Sequence, residues 1–314
     1  MGDLLSIGTS GLLAAQKSLD TIANNISNAN TPGYNRQVTR LETLPSVKIS
    51  NIYAGSGTTV QGTSRVIDDF VTQSLRVQQT NLSEAKAYSD VVVQLDNLLS
   101  DPSMGVSEAL NLVFNTLQGI NNNPGSLPER QMFISQAQIL QTRFNELNRN
   151  ITKQYDVINS QIVDSVNAIN GLVEQIADIN MKIQNLGEFN YASAPNDLLD
   201  QREELLLKLS EYVGVSTTDQ GDGSVNVFIG NGQTLVIGTK PTTLSTQPNA
   251  LDAMKTDIIV TDGTTLQNIN RSFENGKVGG LLHVREEILP QALNSLGRIA
   301  LSIGAAFNEQ IGRA

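Results

Sequence analysis

Residues 23–37 read Ala-Asn-Asn-Ile-Ser-Asn-Ala-Asn-Thr-Pro-Gly-Tyr-Asn-Arg-Gln, and this stretch decides where the first helix ends and how the chain continues. Asn28, Asn30 and Thr31 compete for backbone hydrogen bonds, so they are poor residues for a helix interior. Pro32-Gly33 fits the two central positions of a type II turn, because Pro presets φ and Gly accepts a positive φ. Taken alone, the stretch is equally compatible with a simple helix stop, so its meaning depends on its neighbours.

The segment before this turn predicts a helix over residues 3–30 with a narrow apolar seam. Apolar residues recur every seven positions, and small or apolar residues follow each of them by three: Leu5, Leu12, Leu19 and Ile26, then Gly8, Ala15, Ile22 and Ala29. This is the a/d pattern of a coiled coil. A short helix with so narrow a seam buries little apolar surface by itself and needs a partner. The partner is either its own domain or a helix of another chain or terminus.

The rest of the chain predicts a mainly α fold with a smaller β part (α+β), an elongated helical bundle with long helices plus a small antiparallel β region. Five segments are expected: the N-terminal helix and turn at 1–35, an extended or β excursion at 36–66, a long-helix bundle at 67–214, a small β region at 215–278, and a C-terminal helix returning to the bundle at 279–314.

The longest helical pattern begins at the capping box Ser126-Leu127-Pro128-Glu129 and continues to about residue 186. Four asparagines interrupt its apolar pattern and would weaken it as a free coiled coil: Asn159, Asn167, Asn170 and Asn180. In the β region, hairpins are predicted around Gly230-Asn231-Gly232 and Asp262-Gly263, within one small sheet. Gly279-Gly280 is expected to lead into a last helix that starts near Val284 and is interrupted near Pro290.

Composition excludes several classes of function. Among 314 residues there is no Cys, no Trp and a single His, which excludes disulfides and Cys/His zinc sites. The net charge of −10 repels phosphate backbones, so no nucleic acid partner is expected. No apolar run approaches the roughly 18 residues of a membrane span, so no membrane partner is expected either.

Candidate catalytic groups have simpler explanations. His283 stands beside Leu281, Leu282 and Val284 and is interpreted as a satisfied residue at a helix start, not as a base. Acidic residues cluster near a predicted helix N-terminus, where they favour the helix dipole: Asp197, Asp200, Glu203 and Glu204. The Gly-rich stretches at 221–223 and 230–232 precede no helix, so they are turns and not phosphate loops. The sequence therefore predicts no catalytic residue, no cofactor and no metal site.

The chain resembles a known family. Leu19-Asp20-Thr21-Ile22-Ala23-Asn24-Asn25-Ile26, followed by Asn30-Thr31-Pro32-Gly33-Tyr34, resembles the N-terminal signature of the bacterial flagellar axial proteins of rod, hook and hook-associated type. The continuation Asn35-Arg36-Gln37 is more similar to the hook–filament junction branch of the hook-associated proteins. Downstream motifs similar to that branch follow in order: Asp-Leu-Leu-Asp-Gln-Arg-Glu-Glu-Leu at 197–205, Gly-Ser-Val-Asn-Val-Phe-Ile-Gly-Asn-Gly at 223–232, and Gly-Gly-Leu-Leu at 279–282.

The resemblance implies a structural, non-enzymatic subunit that is exported through the flagellar type III apparatus. Such a subunit forms a ring with copies of itself between hook and filament, next to the hook protein and a neighbouring hook-associated protein, in the extracellular flagellum. It assigns an assembly and export motif to Asn24, Asn25, Ile26, Asn28, Asn30, Thr31, Pro32, Gly33, Tyr34, Arg36 and Gln37. It assigns the seam of an inner-tube helix to Leu5, Leu12, Leu19, Ile22 and Ile26. Members of the family continue into outer β domains and a C-terminal helix, so this chain is expected to be C-terminally truncated.

Other functions remain open from the sequence. Another axial subunit, of rod or hook type, would share the N-terminal signature, but the helix at 128–186 resembles the junction branch. A secreted enzyme carrying a flagellar export signal would need a catalytic set, which the residues do not offer. An extended adhesive scaffold would not need the first 37 residues for export, so an N-terminal deletion would separate it from the other two.

Overall fold

The computed structural model describes residues 4–49, 51–101, 105–187, 194–262 and 265–311. Helices and strands alternate in blocks along this part of the chain: α1 (Leu4–Ser27), β1 (Gln37–Thr43), β2 (Val47–Ile49), β3 (Ile52–Ala54), β4 (Thr58–Arg65), α2 (Asp69–Ser100), α3 (Val106–Asn122), α4 (Leu127–Gln184), α5 (Asn196–Tyr212), β5 (Val215–Asp219), β6 (Val225–Ile229), β7 (Gln233–Ile237), β8 (Lys240–Pro241), β9 (Leu244–Pro248), β10 (Thr256–Asp262), β11 (Thr265–Asn268), α6 (Gly276–His283) and α7 (Leu289–Ile311). The predicted mainly α fold with a smaller antiparallel β part is confirmed. No helix in the described ranges is both long and apolar enough to cross a membrane.

The chain divides into two compact units. The first unit consists of Met1–Thr80 and Ala168–Leu244, and the second consists of Asn81–Asn167 and Ser245–Ala314. Two of the three division points lie inside α2 and α4, so each of these helices contributes residues to both units.

The first unit contains an antiparallel ribbon of β1 and β4, in which Gln37 pairs with Arg65 and Thr43 with Thr58. Helix α1 packs against both strands of this ribbon. The same unit holds a four-stranded sheet in the order β5-β6-β7-β8. Apolar residues of α4 and α5 form a core within this unit: Ile179, Ile183 and Leu199, with Leu198 and Leu205 packed against them.

Two asparagines of α4 bind backbone groups of the first unit. Asn170 Nδ2 donates to the Leu244 carbonyl (2.8 Å), and the Leu244 amide donates back to Asn170 Oδ1 (2.9 Å). Asn180, fully buried, donates to the carbonyls of Val225 (2.9 Å) and Gly238 (2.6 Å). The polar residues that weaken α4 as a free coiled coil therefore satisfy backbone groups that the sheet cannot pair by itself.

A buried arginine completes this connection. Arg202 on α5 donates through Nη1 to Asn180 Oδ1 (3.0 Å) and to the Gly223 carbonyl (2.6 Å). A buried guanidinium is tolerated only where its donors find acceptors, and these two acceptors come from α4 and from the loop before β6. The pair Asn180–Arg202 thus joins α4, α5 and the sheet.

The second unit carries a smaller sheet in the order β11-β10-β9. Asn159 on α4 binds the backbone where the chain enters β10. Its side chain donates to the Met254 carbonyl (2.8 Å) and accepts from the Thr256 amide (3.2 Å). A separate core brings together α3, α4 and α7 around Val113, Leu140 and Phe307.

The β region differs from the single sheet that the sequence predicts, because it forms two sheets. The chain leaves the first sheet at β8, a strand of two residues that ends in Pro241, and proline has no N–H with which to extend a ladder. Both predicted hairpins are confirmed as antiparallel pairs, β6 with β7 and β10 with β11. Residues 263–264, at the turn of the second hairpin, lie outside the described residues.

The C-terminal helix starts earlier than predicted. Gly279 and Gly280 lie inside α6 and do not precede the helix, which begins at Gly276. The reason is tertiary: a Cβ on Gly280 would come within 2.6 Å of the Glu84 carbonyl on α2, so glycine lets the two helices approach closely. The predicted interruption near Pro290 is confirmed as a π-helical turn, Val284–Ile288, immediately before α7.

The Asn180–Arg202 pair generates a stability prediction. Asn180→Leu removes four hydrogen bonds, which takes one acceptor from Arg202 and the side-chain partners from buried backbone groups of the sheet, so we expect the free energy of unfolding to fall by about 2–3 kcal/mol. Urea unfolding followed by circular dichroism measures this change. Asn167→Leu, on an exposed position of the same helix, is the matched control and should shift stability by less than about 0.5 kcal/mol. Equal effects of the two changes would contradict the role assigned to Asn180.

The close approach at Gly280 generates a second prediction. Replacing Gly280 in α6 and Gly304 in α7 by alanine should change stability in opposite directions. Gly280→Ala should destabilise the chain by about 1–3 kcal/mol, because the new methyl group meets the backbone of α2. Gly304→Ala adds a methyl group with no atom within 4 Å and should stabilise the chain by up to about 1 kcal/mol through helix propensity. Thermal unfolding of the two variants checks both signs, and stabilisation by Gly280→Ala would show that the approach is not tight.

Candidate functional site

Helix α1 turns its small and polar residues towards the ribbon. The residues of α1 and its end that are partly or fully buried recur every three or four positions: Ile7, Ser10, Ala14, Ser18, Thr21, Asn25 and Asn28. Ala14 and Thr21 are the fully buried ones among the described residues of α1. The helix therefore packs on its own unit, but it does so through a face that the heptad pattern does not mark.

The predicted seam lies on the other side of α1 and is exposed. The exposed fractions of its side chains are 72% for Leu5, 70% for Leu12, 65% for Leu19, 51% for Ile22 and 72% for Ile26. Leu4 and Leu13 widen this surface. A continuous row of exposed leucine and isoleucine side chains marks an interaction surface in soluble proteins, whereas single exposed apolar residues do not.

The turn after α1 has the geometry that its residues predict. Gly33 has a φ of +78°, and the Tyr34 amide donates to the Thr31 carbonyl (3.2 Å) across it. A glycine is required at this position because a positive φ is costly for residues with a Cβ. A side chain at position 33 would also come within 3.2 Å of Glu204 on α5.

The asparagines around the turn bind one another and the following strand. Asn25 Oδ1 accepts from the Tyr34 hydroxyl and from the Gln37 amide, both at 2.8 Å. Asn28 donates to Asn24 Oδ1 (2.8 Å) and accepts from the Thr31 hydroxyl (3.3 Å). Of the other assigned residues, Ile26 belongs to the seam, and Asn30, Pro32 and Arg36 lie exposed on the surface of the turn.

Asp200 on α5 fixes the turn to the rest of the first unit. Its carboxylate accepts from the Asn35 amide (3.1 Å), from Asn35 Nδ2 (2.8 Å) and from Arg65 Nη1 (2.9 Å). Next to it, Asn196 Nδ2 donates to the Thr63 carbonyl of β4 (2.7 Å). Two stretches that the sequence offers as separate motifs, the Asn-rich turn and Asp-Gln-Arg, thus meet in space.

The acidic cluster at 197–204 is therefore only partly explained by the helix dipole. Asp200 is buried and bonded to Asn35 and Arg65, and Glu203 forms an ion pair with Arg76 (3.4 Å). The signal for Asp200 was present in the sequence, because it stands on the apolar face of α5 beside Leu199, where an unpaired carboxylate is rare.

The electrostatics of the turn keep Tyr34 protonated. Desolvation and the nearby Asp200 carboxylate both raise the pKa of the Tyr34 phenol above its usual range. The hydroxyl therefore remains a donor to Asn25 across physiological pH, and the bond that closes the turn does not titrate there.

Metal-ligating side chains do not cluster in the part of the chain that the structure describes. No group of three or more His, Cys, Asp or Glu residues in these ranges could hold a metal ion. The interpretation of His283 as a helix-start residue is wrong, because His283 is the last residue of α6 and is exposed. Its Nε2 lies 3.4 Å from Glu287 Oε2, and its ring centroid lies 5.3 Å from that of Tyr88.

Two family models match the chain. The flagellar hook-associated protein FlgK helical domain matches residues 92–313, and the flagella basal body rod protein family matches residues 5–35. The second match covers the seam and most of the turn motif.

Individual relatives agree with these models. The chain is 35% identical over 312 residues to flagellar hook-associated protein 1 of Salmonella typhimurium, covering 99% of this chain and 56% of that protein. It is 26% identical to flagellar hook-associated protein 1 of Bacillus subtilis, covering 95% and 64% of the two chains. The solved structure of the flagellar hook junction protein FlgK from Burkholderia pseudomallei aligns with a TM-score of 0.62 at 30% identity, over 68% of this chain and 39% of that one. This chain thus spans little more than half the length of such relatives.

The Asp200 contacts generate a prediction about the turn. Asp200→Asn removes the charge that pairs with Arg65 and one of the acceptors for Asn35, so we expect the turn at residues 31–36 to open more often. Hydrogen exchange should show amide protection there falling about 10-fold or more, while α4 stays protected.

The matched control is Asp197→Asn, at an exposed position of the same helix, which should leave exchange at the turn unchanged. If Asp200→Asn leaves the Asn35 amide as protected as in the parent chain, the carboxylate does not hold the turn.

Proposed function

Because this chain belongs to the flagellar hook-associated protein FlgK family, we propose that it is a structural subunit of the bacterial flagellum at the junction between hook and filament. The observation that carries the proposal is the exposed seam of α1. The match of residues 92–313 to the FlgK helical domain favours the junction over a rod or hook subunit. The rod-family match of residues 5–35 supports a role for α1 that is common to axial proteins.

The seam has enough apolar surface to drive assembly. Burying one leucine or isoleucine side chain contributes about 1.5–3 kcal/mol, and five seam residues are at least half exposed. Heptad spacing suits a second helix with the same spacing, because each side chain then inserts between four residues of its partner. The partner we propose is the N-terminal helix of a neighbouring copy of this chain, within a ring of copies. Hook protein and a neighbouring hook-associated protein would contact the two sides of that ring.

The turn motif serves this assembly by setting where α1 ends. Asn24, Asn25, Asn28, Thr31 and Tyr34 bind within the turn, and Asn35 ties it to α5. Gly33 and Gln37 complete the turn and its link to β1, whereas Asn30, Pro32 and Arg36 remain at the surface and are available to the flagellar type III export apparatus. Residues 1–35 would thus be the assembly segment, and the rest of the chain would support it.

The proposed role is mechanical and extracellular, and we propose no enzymatic activity. Two observations support this: the family to which the chain belongs, and the fact that acidic residues on α5 are engaged in hydrogen bonds and ion pairs. Asp200 is bonded to Asn35 and Arg65, and Glu203 is paired with Arg76, so neither is placed as a free general acid or base. Export through the flagellar channel places the subunit outside the cell, on the flagellum.

Replacing one seam residue by a charge tests the proposal. Leu12 is exposed in the isolated chain, so Leu12→Lys should leave the free energy of unfolding within about 0.5 kcal/mol of the parent. In the assembly it places a charge in an apolar seam, so cells that carry only this variant should lose most swimming motility, with fewer filaments attached to hooks. Motility plates and electron microscopy of hooks measure both effects.

Gln16→Lys is the matched control, because it adds the same charge at an exposed position that flanks the seam, where coiled coils accept charged residues. It should support normal motility. Normal motility of the Leu12→Lys cells would reject the seam as an assembly surface.

A further inference from the structure

We infer that Ser10, Thr21 and Asn25 are positioning residues, which fix the rotation of α1 on the β1–β4 ribbon so that the seam points outward while the helix stays docked. The inference rests on the proposed function, since it takes the seam to be the assembly surface. It adds that the ribbon is a cradle for α1 in the assembled state, and that α1 does not detach or turn to expose its seam.

Three sets of hydrogen bonds distributed along α1 carry the inference. The Thr58 amide on β4 donates to Ser10 Oγ (3.3 Å). The hydroxyl of Thr21 on α1 and the hydroxyl of Thr39 on β1 form a hydrogen bond of 2.8 Å. Asn25 forms a two-way pair with the backbone of Gln37, donating to its carbonyl and accepting from its amide, both at 2.8 Å. These residues span about 22 Å of helix at 1.5 Å per residue, and they contact both strands.

These bonds are compatible with one rotation of the helix only. Successive residues of an α-helix are about 100° apart, so a shift by one position would place Ile22 against Thr39 in the place of Thr21. The hydroxyl of Thr39 and the backbone of Gln37 would then lose their partners in a half-buried interface. Leaving a donor or acceptor unsatisfied in this interface is unfavourable, so the ribbon discriminates against a rotated α1.

Small residues allow the close approach that the hydrogen bonds need. Ala14 is 3% exposed and lies between Ser10 and Thr21 on the buried face. Gly57 has a φ of +106°, and a Cβ at that position would overlap Ser10 Oγ. Glycine at residue 57 therefore both forms the bend before β4 and leaves room for α1.

The same chemistry explains why the ribbon does not cover the seam itself. The ribbon groups beneath α1 are the Thr39 hydroxyl, the Thr58 amide and the Gln37 backbone, all of which require polar partners. Leucine side chains placed on them would satisfy none of these groups. The ribbon thus binds the polar face of α1, because docking the apolar face would leave ribbon hydrogen-bonding groups unsatisfied. Such a penalty on the wrong partner is a common basis of specificity.

A disulfide tests whether α1 works while docked. The chain has no cysteine, so Thr21→Cys with Thr39→Cys introduces the only two thiols of the full chain. The 2.8 Å separation of the present hydroxyl oxygens is close to the 2.05 Å of a sulfur–sulfur bond. The purified, oxidised protein is added to cells that lack the gene, and its binding to hooks is measured by immunolabelling. We expect oxidised and reduced proteins to bind equally, within about twofold. Binding only after reduction would overturn the inference.

A second pair tests the rotation directly. In Ile22→Cys with Thr39→Cys, the first thiol is displaced by about 100° around the helix. We expect this pair to oxidise at least 10-fold more slowly than the first, followed by mass spectrometry of the same full-length chain. Equal rates would show that α1 rotates freely on the ribbon, and the inference would then fail.

The outcome for Leu12→Lys separates this inference from the proposed function. If Leu12→Lys, added in the same assay, loses hook binding while the oxidised Thr21–Thr39 pair retains it, both statements hold. If Leu12→Lys loses binding and the oxidised pair also loses it, with recovery on reduction, the seam is the assembly surface but the cradle is wrong. If Leu12→Lys binds as the parent does, the proposed function itself fails, and the inference fails with it.

Discussion

The N-terminal part of this structure depends on the hydrogen bonds that the Asp200 carboxylate accepts. The carboxylate receives three donors, two from Asn35 and one from Arg65, and so joins the end of the turn to the end of the ribbon. Two residues later on the same helix, Arg202 binds Asn180 and the loop before β6. One turn of α5 therefore connects the turn after α1 on one side and the four-stranded sheet on the other.

Helix α1 has two chemically different faces. Its polar face satisfies the ribbon through hydrogen bonds, and its apolar seam remains exposed. An amphipathic helix normally buries its apolar face in its own domain, and here the burial is reversed because the ribbon beneath it offers polar groups. The proposed assembly through α1 would need such a surface, which stays exposed in one chain and would be buried against a neighbour.

Periodicity allowed the helices and the balance of α and β structure to be predicted, because 3.6-residue and two-residue repeats reflect local geometry. The heptad pattern also located the seam. The positive φ of Gly33 followed from the local chemistry of the Pro-Gly pair. Periodicity failed where a distant contact decides the outcome. Gly279-Gly280 suggests a helix break, but the glycines allow α6 to approach Glu84 on α2, and no local signal reports that neighbour.

The sequence by itself determined that α1 is a helix with a heptad seam, that a turn ends it, and that long helices dominate the fold. Only the tertiary structure decided which face of α1 is buried, that the β region forms two sheets, and that Asp200 holds the turn from 165 positions along the chain. The physical reason is that helix and turn preferences arise from neighbouring residues, whereas the partner of a buried polar group is chosen by whichever part of the folded chain can satisfy it.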